Sequence, residues 1–187
     1  MAAREDGIAE ELILRFLNEA AFVEAGVHRV PVTELAAAIG ALVAECRVVV
    51  VDAALDEVAA VIGRNGGEVV TSDDRGASDR GSSWEDADAG VVLALGAIAD
   101  TGTVVVGPGT GMEGLAAVLP PRSVLVVPAD TIHPDLVSAL SWLAPLLATA
   151  GTRVAFITGP SRTSDIELTP VVGVHGPLQL EVVVVDG

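Results

Sequence analysis

Short valine-rich runs, apolar at every position, are the feature that most constrains this chain. They stand within Arg47–Val51, Thr103–Val106, Ser123–Pro128 and Leu180–Val185. A strand that is apolar on both faces must be covered on both faces, which is the condition of a parallel sheet sandwiched by helices. β-Branched residues suit the pleat and stiffen it. Glycine, aspartate or arginine interrupts every apolar run. None reaches the roughly 18 to 20 residues that a membrane-spanning helix needs.

Between the runs the period changes. Ile8, Leu12, Ile13, Phe16, Leu17, Ala20 and Ala21 recur at helical spacing, with Glu5, Glu10, Glu11 and Glu19 as the solvent face and Gly26 as the expected stop. Thr33 is the expected cap of a second helix running to about Glu45, and Asp52 of a third ending near Gly66-Gly67. Glu68–Thr71 reads as a short strand. Ser72–Glu85 is polar and reads as a loop, with Trp84 anchoring its end. Val91–Leu95, Ala97–Ala99 and Thr103–Val106 are separated by tight turns, which favours hairpins. A short helix to about Val118 precedes Pro120-Pro121. Pro134 opens a helix to about Thr149, and Arg153–Thr158 is the next strand. Strand–helix alternation with inserted hairpins predicts one α/β domain over 1–187 with a mixed, mainly parallel sheet.

Charge narrows the functional classes. The net charge is −16, from 26 acids against ten bases, and all ten bases are arginine. An acidic surface repels phosphate backbones, which argues against nucleic acid as a partner. Without lysine there is no Schiff-base chemistry and no Walker A loop. Cys46 is the one cysteine, so the chain cannot hold an iron–sulfur cluster or a cysteine-rich zinc site. His28, His133 and His175 lack ligand spacing, so no metal is expected. The start, Met1-Ala-Ala-Arg-Glu-Asp-Gly7, lacks the apolar core of a signal peptide, and the expected location is the cytoplasm.

Four groups of residues are candidates for chemistry. Gly109-x-Gly111-x-x-Gly114, with Asp130 downstream, has the form of a dinucleotide fingerprint. The helix after it is too short, however, and Glu113 would set a carboxylate beside the pyrophosphate, so it is read as a turn. Asp100-Thr101-Gly102-Thr103 has two readings: a hairpin turn, or amides and hydroxyls facing a ligand. Gly159-Pro160-Ser161-Arg162-Thr163 follows a strand, and Ser161 or Thr163 is expected to cap a helical turn. Free N–H groups beside an arginine fork suit a carboxylate or phosphate. Arg162 can equally pair with Asp165 or Glu167 and hold the loop closed. His175, in Gly173-Val-His-Gly-Pro177, is read either as a hydrogen-bond donor or base in a loop, or as structural.

Gly159-Pro-Ser-Arg-Thr-Ser-Asp-Ile-Glu167 followed by Gly173-Val-His-Gly-Pro177 resembles the C-terminal signature of the LUD domain, the lactate utilization protein C family. Ala97–Val106 and Leu119-Pro-Pro-Arg122 are similar to further family segments, although the family often has glutamate where Asp100 stands. The resemblance covers about 84–186, the signature-bearing core. The segment at about 1–45 is helical and matches only in its pattern of elements. The resemblance implies a three-layer α/β/α fold like that of the sugar-phosphate isomerase and CoA-transferase superfamily. It also implies a part in oxidising L-lactate to pyruvate, with iron–sulfur clusters carried by partner subunits rather than by this chain. The site residues expected are Thr101, Gly102, Thr103, Gly159, Ser161, Arg162, Thr163 and Gly176 for binding a small anionic ligand. Asp165, Glu167 and His175 are the expected catalytic groups. The alternative is a stand-alone enzyme of the isomerase, CoA-transferase or folate-ligase type in the same cleft.

Overall fold

The computed structural model of the chain describes residues 2–71, 83–107, 113–148, 153–164, 170–172 and 176–187. Six parallel strands form the main sheet: β1 (Gly26–Pro31), β2 (Val48–Val51), β3 (Glu68–Thr71), β4 (Ala89–Leu93), β7 (Arg122–Pro128) and β12 (Gln179–Asp186), in the order β1-β12-β7-β4-β2-β3. Strand pleating makes each valine run serve two cores. Val48 and Val50 of β2 pack on one face while Val49 and Val51 pack on the other. Leu125 and Val127 of β7 part from Val124 and Val126 in the same way, as do Val182 and Val184 of β12 from Val183 and Val185. These twelve side chains are all buried.

One face is covered by α2 (Leu35–Leu42) and α3 (Asp56–Arg64), through Leu35, Ile39, Val58 and Ile62. The other is covered by α1 (Ala2–Phe22), through Ile13, Phe16 and Ala20, and by a second, four-stranded sheet. That sheet has the order β8-β5-β6-β9, with β5 (Gly96–Ile98), β6 (Thr103–Val106), β8 (Ile132–His133) and β9 (Ala155–Ile157). β6 runs antiparallel to both β5 and β9. Of the predicted hairpins the one between β5 and β6 is present, but its strands form their own sheet beside a wholly parallel one, and the run from Val91 falls instead in β4, paired in parallel with β2 and β7. Helix α5 (Leu136–Leu147) covers the outer side of the small sheet, with Ala139 and Leu143 against Ile98 and Val105.

Several boundaries move for identifiable reasons. Helix α1 ends before Gly26. Glu24, at φ 66°, takes the left-handed position, and Ala25 N–H reaches Ala20 C=O at 3.1 Å, the bond pattern of a Schellman ending. Gly26 instead begins β1. A 3-10 turn at Val32–Glu34 precedes α2, so Thr33 is not a side-chain cap. Asp52 caps no helix directly. Its buried carboxylate accepts Ala54 N–H and Leu93 N–H, tying the end of β2 to the end of β4. Asp135 caps α5, accepting Ser138 N–H at 2.7 Å, so Pro134 stands before the cap rather than in the first turn. Trp84 is buried beside the main core, as the anchor reading required. Among the described residues no helix is long and apolar enough to cross a membrane.

Candidate functional site

The glycines of the two sequence motifs meet at one place, the C-terminal turn of α1. Gly102 adopts φ 61°, and a Cβ there would strike the backbone of Glu19 and Ala20. Gly159 adopts φ 75°, and a Cβ there would strike Val23 C=O. Only glycine permits both the left-handed backbone and the close approach. Beneath them three hydroxyls form a chain. Thr101 Oγ1 lies 2.7 Å from Thr103 Oγ1, which lies 2.7 Å from Thr158 Oγ1. Thr103 is buried, whereas Thr101 and Thr158 are exposed. Asp100 faces α1 and pairs with Arg15 at 2.6 Å.

A cleft of about 540 Å³ opens where β9 ends, lined in part by Thr158, Gly159, Ser161 and Gly176. That volume lies within the range of ordinary ligand pockets. Ser161 N–H donates to Pro177 C=O at 2.9 Å, so the Gly-Pro-Ser and Gly-Pro halves of the signature are directly joined. Glu24, the one non-glycine residue at positive φ among the described residues, also lines the cleft. Phe22 and Phe156 stand on its rim, 83% and 42% exposed. A second hollow of about 330 Å³ shares Glu24 and Pro160 and runs toward Arg122 and Glu181. His28 Nε2 lies 2.8 Å from the Glu181 carboxylate.

The expected helical turn after Gly159 is not formed. Arg162–Ser164 is a strand, β10, paired antiparallel with β11 (Pro170–Val172) in the register Arg162↔Val172, Thr163↔Val171 and Ser164↔Pro170. β-Branched Thr163, Val171 and Val172 favour the extended pairing. Among the described residues no helix starts after Gly159 to bind an anion, and the Ser161 amide is already engaged. Arg162 and Thr163 follow Ser161 directly in the chain, in β10. Asp165, Glu167 and His175 lie outside the described residues. The cleft sits at the carboxyl end of β9 but at the amino ends of β7 and β12, where Leu178 N–H donates to Pro121 C=O. Open α/β sheets more often place ligands at carboxyl ends.

Other expected groups resolve simply. β6, which precedes the glycine-rich stretch, lies in the small sheet and is not paired with β7, so no dinucleotide-binding βαβ unit exists there. The helix after it, α4 (Glu113–Ala116), is a single turn. Cys46 is free and half-buried, and burial pushes its thiol pKa up, away from the thiolate form. Among the described residues no cluster of three or more His, Cys, Asp or Glu is placed to hold a metal. Sequence reasoning overlooked Phe22, Glu24, Phe156 and Thr158. Thr158 was legible as the residue before Gly159. Phe22 and Phe156 are two of only three phenylalanines, and a scarce aromatic at an element's end was the available signal.

The family model of the LUD domain matches residues 13–185. The chain belongs to the LUD domain family. This LUD domain protein is 37% identical over 106 residues to lactate utilization protein C of Halalkalibacterium halodurans, covering 54% of this chain and 46% of that one. It is 34% identical over 105 residues to the protein of the same name from Macrococcus caseolyticus, again covering 54% and 46%. The LUD domain protein thus spans about half the length of the curated relatives it matches. A crystal structure of a DUF162 family protein from Deinococcus radiodurans superposes with a TM-score of 0.72, covering 95% of this chain and 98% of that one. At 23% identity that likeness speaks for the fold.

Proposed function

We propose that this LUD domain protein serves lactate utilization as the cluster-free component of an L-lactate-oxidising complex, whose iron–sulfur clusters reside in partner subunits. The observation that carries the reading is the similarity, at 34–37% identity, to two proteins named lactate utilization protein C. One cysteine leaves cluster chemistry to other chains. The ligand is a small carboxylate, held in the cleft at Gly159–Ser161 with Arg162 as its countercharge. The location is supported by the cleft itself, which gathers Gly159, Ser161 and Gly176 of the two signature halves at one strand end. Phe22 and Phe156 on the rim supply an apolar border that a partner subunit would bury.

The test is growth on L-lactate of a strain that depends on this protein, with Arg162→Ala and Arg162→Lys compared at equal soluble levels. Arg162→Ala is expected to abolish growth, and Arg162→Lys to restore it in part because it keeps the charge but not the fork. Normal growth of the alanine variant removes Arg162 from the site. L-Lactate should also raise the melting temperature of the wild type and leave Arg162→Ala unmoved.

A further inference from the structure

The row of hydroxyls that begins at Thr101 ends in the cleft, at Thr158. β6 and β9 pair antiparallel with Val104 opposite Ile157, and the next step of that register sets Thr103 opposite Thr158. The sheet thus fixes both residues, and cross-strand hydroxyls at this spacing bond to each other. Thr103 is buried, and among the described residues its hydroxyl meets only those of Thr101 and Thr158. A hydroxyl has one proton to give, and a buried proton without an acceptor is costly. Thr103 therefore donates to one neighbour and accepts from the other, so the row has two polarities. In the first, Thr158 keeps its own proton free for the cleft. In the second, Thr158 donates to Thr103 and offers the cleft only a lone pair. Thr101, exposed at the far end, lets solvent complete either one.

We infer that Thr158 is a specificity-determining residue, which binds the oxygen on the α-carbon of an α-oxygenated carboxylate, with Thr103 and Thr101 as its positioning residues. The inference rests on the lactate reading above, in which Arg162 takes the carboxylate. A guanidinium only donates, so it cannot accept the proton of an α-hydroxyl. Thr158 accepts that proton in the second polarity, and in the first it donates to an α-oxo group. A hydroxy acid and the oxo acid formed from it therefore fit the same place, and only hydroxyl protons turn. The other polar side chains of the cleft serve less well. Glu24, when ionised, only accepts and so has nothing to give an oxo acid. Ser161 brings a hydroxyl to the cleft, but among the described residues no hydrogen bond holds it in place. Thr158 alone is a hydroxyl already oriented by a buried neighbour, which spares the ligand the cost of ordering it.

Dissociation constants for L-lactate, pyruvate and propionate, measured by NMR titration of the full chain, test it. Propionate carries no oxygen on its α-carbon. The wild type is expected to bind L-lactate and pyruvate about fivefold tighter than propionate, the difference one hydrogen bond makes. Thr158→Val, which keeps the β-branched shape, should bind all three alike, and Thr158→Ser should restore the preference. Thr103→Val should reduce the preference in the wild type and change nothing in Thr158→Val, because it acts through that hydroxyl. An equal effect in both backgrounds would make Thr103 merely structural and overturn its positioning role. A preference that survives Thr158→Val overturns the inference and leaves the lactate reading standing. Equal binding of the three acids by the wild type does the same. Binding of none of them overturns both.

Discussion

Gly102 shows how one residue ties a motif to the fold. Its left-handed backbone closes the β5–β6 turn, and its missing Cβ admits the backbone of α1. Gly102→Ala therefore meets two penalties: the left-handed conformation, at about 1–2 kcal/mol, and overpacking, at about 1–3 kcal/mol. Denaturant unfolding should show a loss of at least about 2 kcal/mol, and an unchanged midpoint would refute the packing account. The turn was legible from Asp, Gly and Thr at their usual positions. The direction of the hydroxyls was not, because Thr103 turns inward to Thr158, 55 residues away in sequence. Of the expected site, Gly159, Ser161 and Gly176 do share a cleft. The helix start after them was misread because Ser and Thr serve as caps and strand residues alike, and β10 owes its extension to a partner strand.

At the scale of elements, continuous valine runs revealed β2, β7 and β12 because burial on both faces leaves no alternation to misread. Glu68–Thr71 matched β3 to the residue. β1 escaped notice because Gly26 resembles a helix stop, while the true left-handed position falls on Glu24. β8 is two residues long, too short for any period. Yet β8 holds α5 in place: the His133 ring lies 4.7 Å from Trp142, and its Nε2 is buried without a hydrogen-bond partner. Burial pushes the His133 pKa below its ordinary 6.5. The unfolded chain then binds this proton more readily than the folded one, so the contribution is complete above about pH 6.5 and is lost as pH falls below it. Asp135 follows at lower pH. The Ser138 N–H holds its carboxyl below the ordinary value, so the cap weakens as the acid protonates. Melting temperature should therefore fall between about pH 7 and pH 5 in the wild type and less steeply in His133→Phe. Equal slopes would exclude His133 as the source.

At the scale of the molecule, two buried layers of valine, leucine and isoleucine hold together a body that carries 26 acids and ten arginines. Arg15–Asp100, Arg29–Glu10 and Arg29–Asp186 are surface pairs, and exposed pairs contribute only about 0–1 kcal/mol each. Arg29 bridges α1 to the last strand, and its hydrogen bond holds the Glu10 carboxyl below its ordinary pKa. Salt weakens these attractions, but it also screens the mutual repulsion of 16 excess negative charges. Repulsion among so many acids acts over the whole surface and opposes the compact state, so the screening of repulsion dominates. Melting temperature should rise as sodium chloride is increased from about 20 to about 300 mM, where the Debye length falls well below 10 Å. A falling melting temperature would mean that the arginine pairs outweigh the net charge. Arg29→Ala would then abolish most of the salt response, because that residue joins two acids from two elements. If repulsion governs, Arg29→Ala takes the net charge from −16 to −17 by removing one positive charge, and the stabilisation by salt becomes steeper.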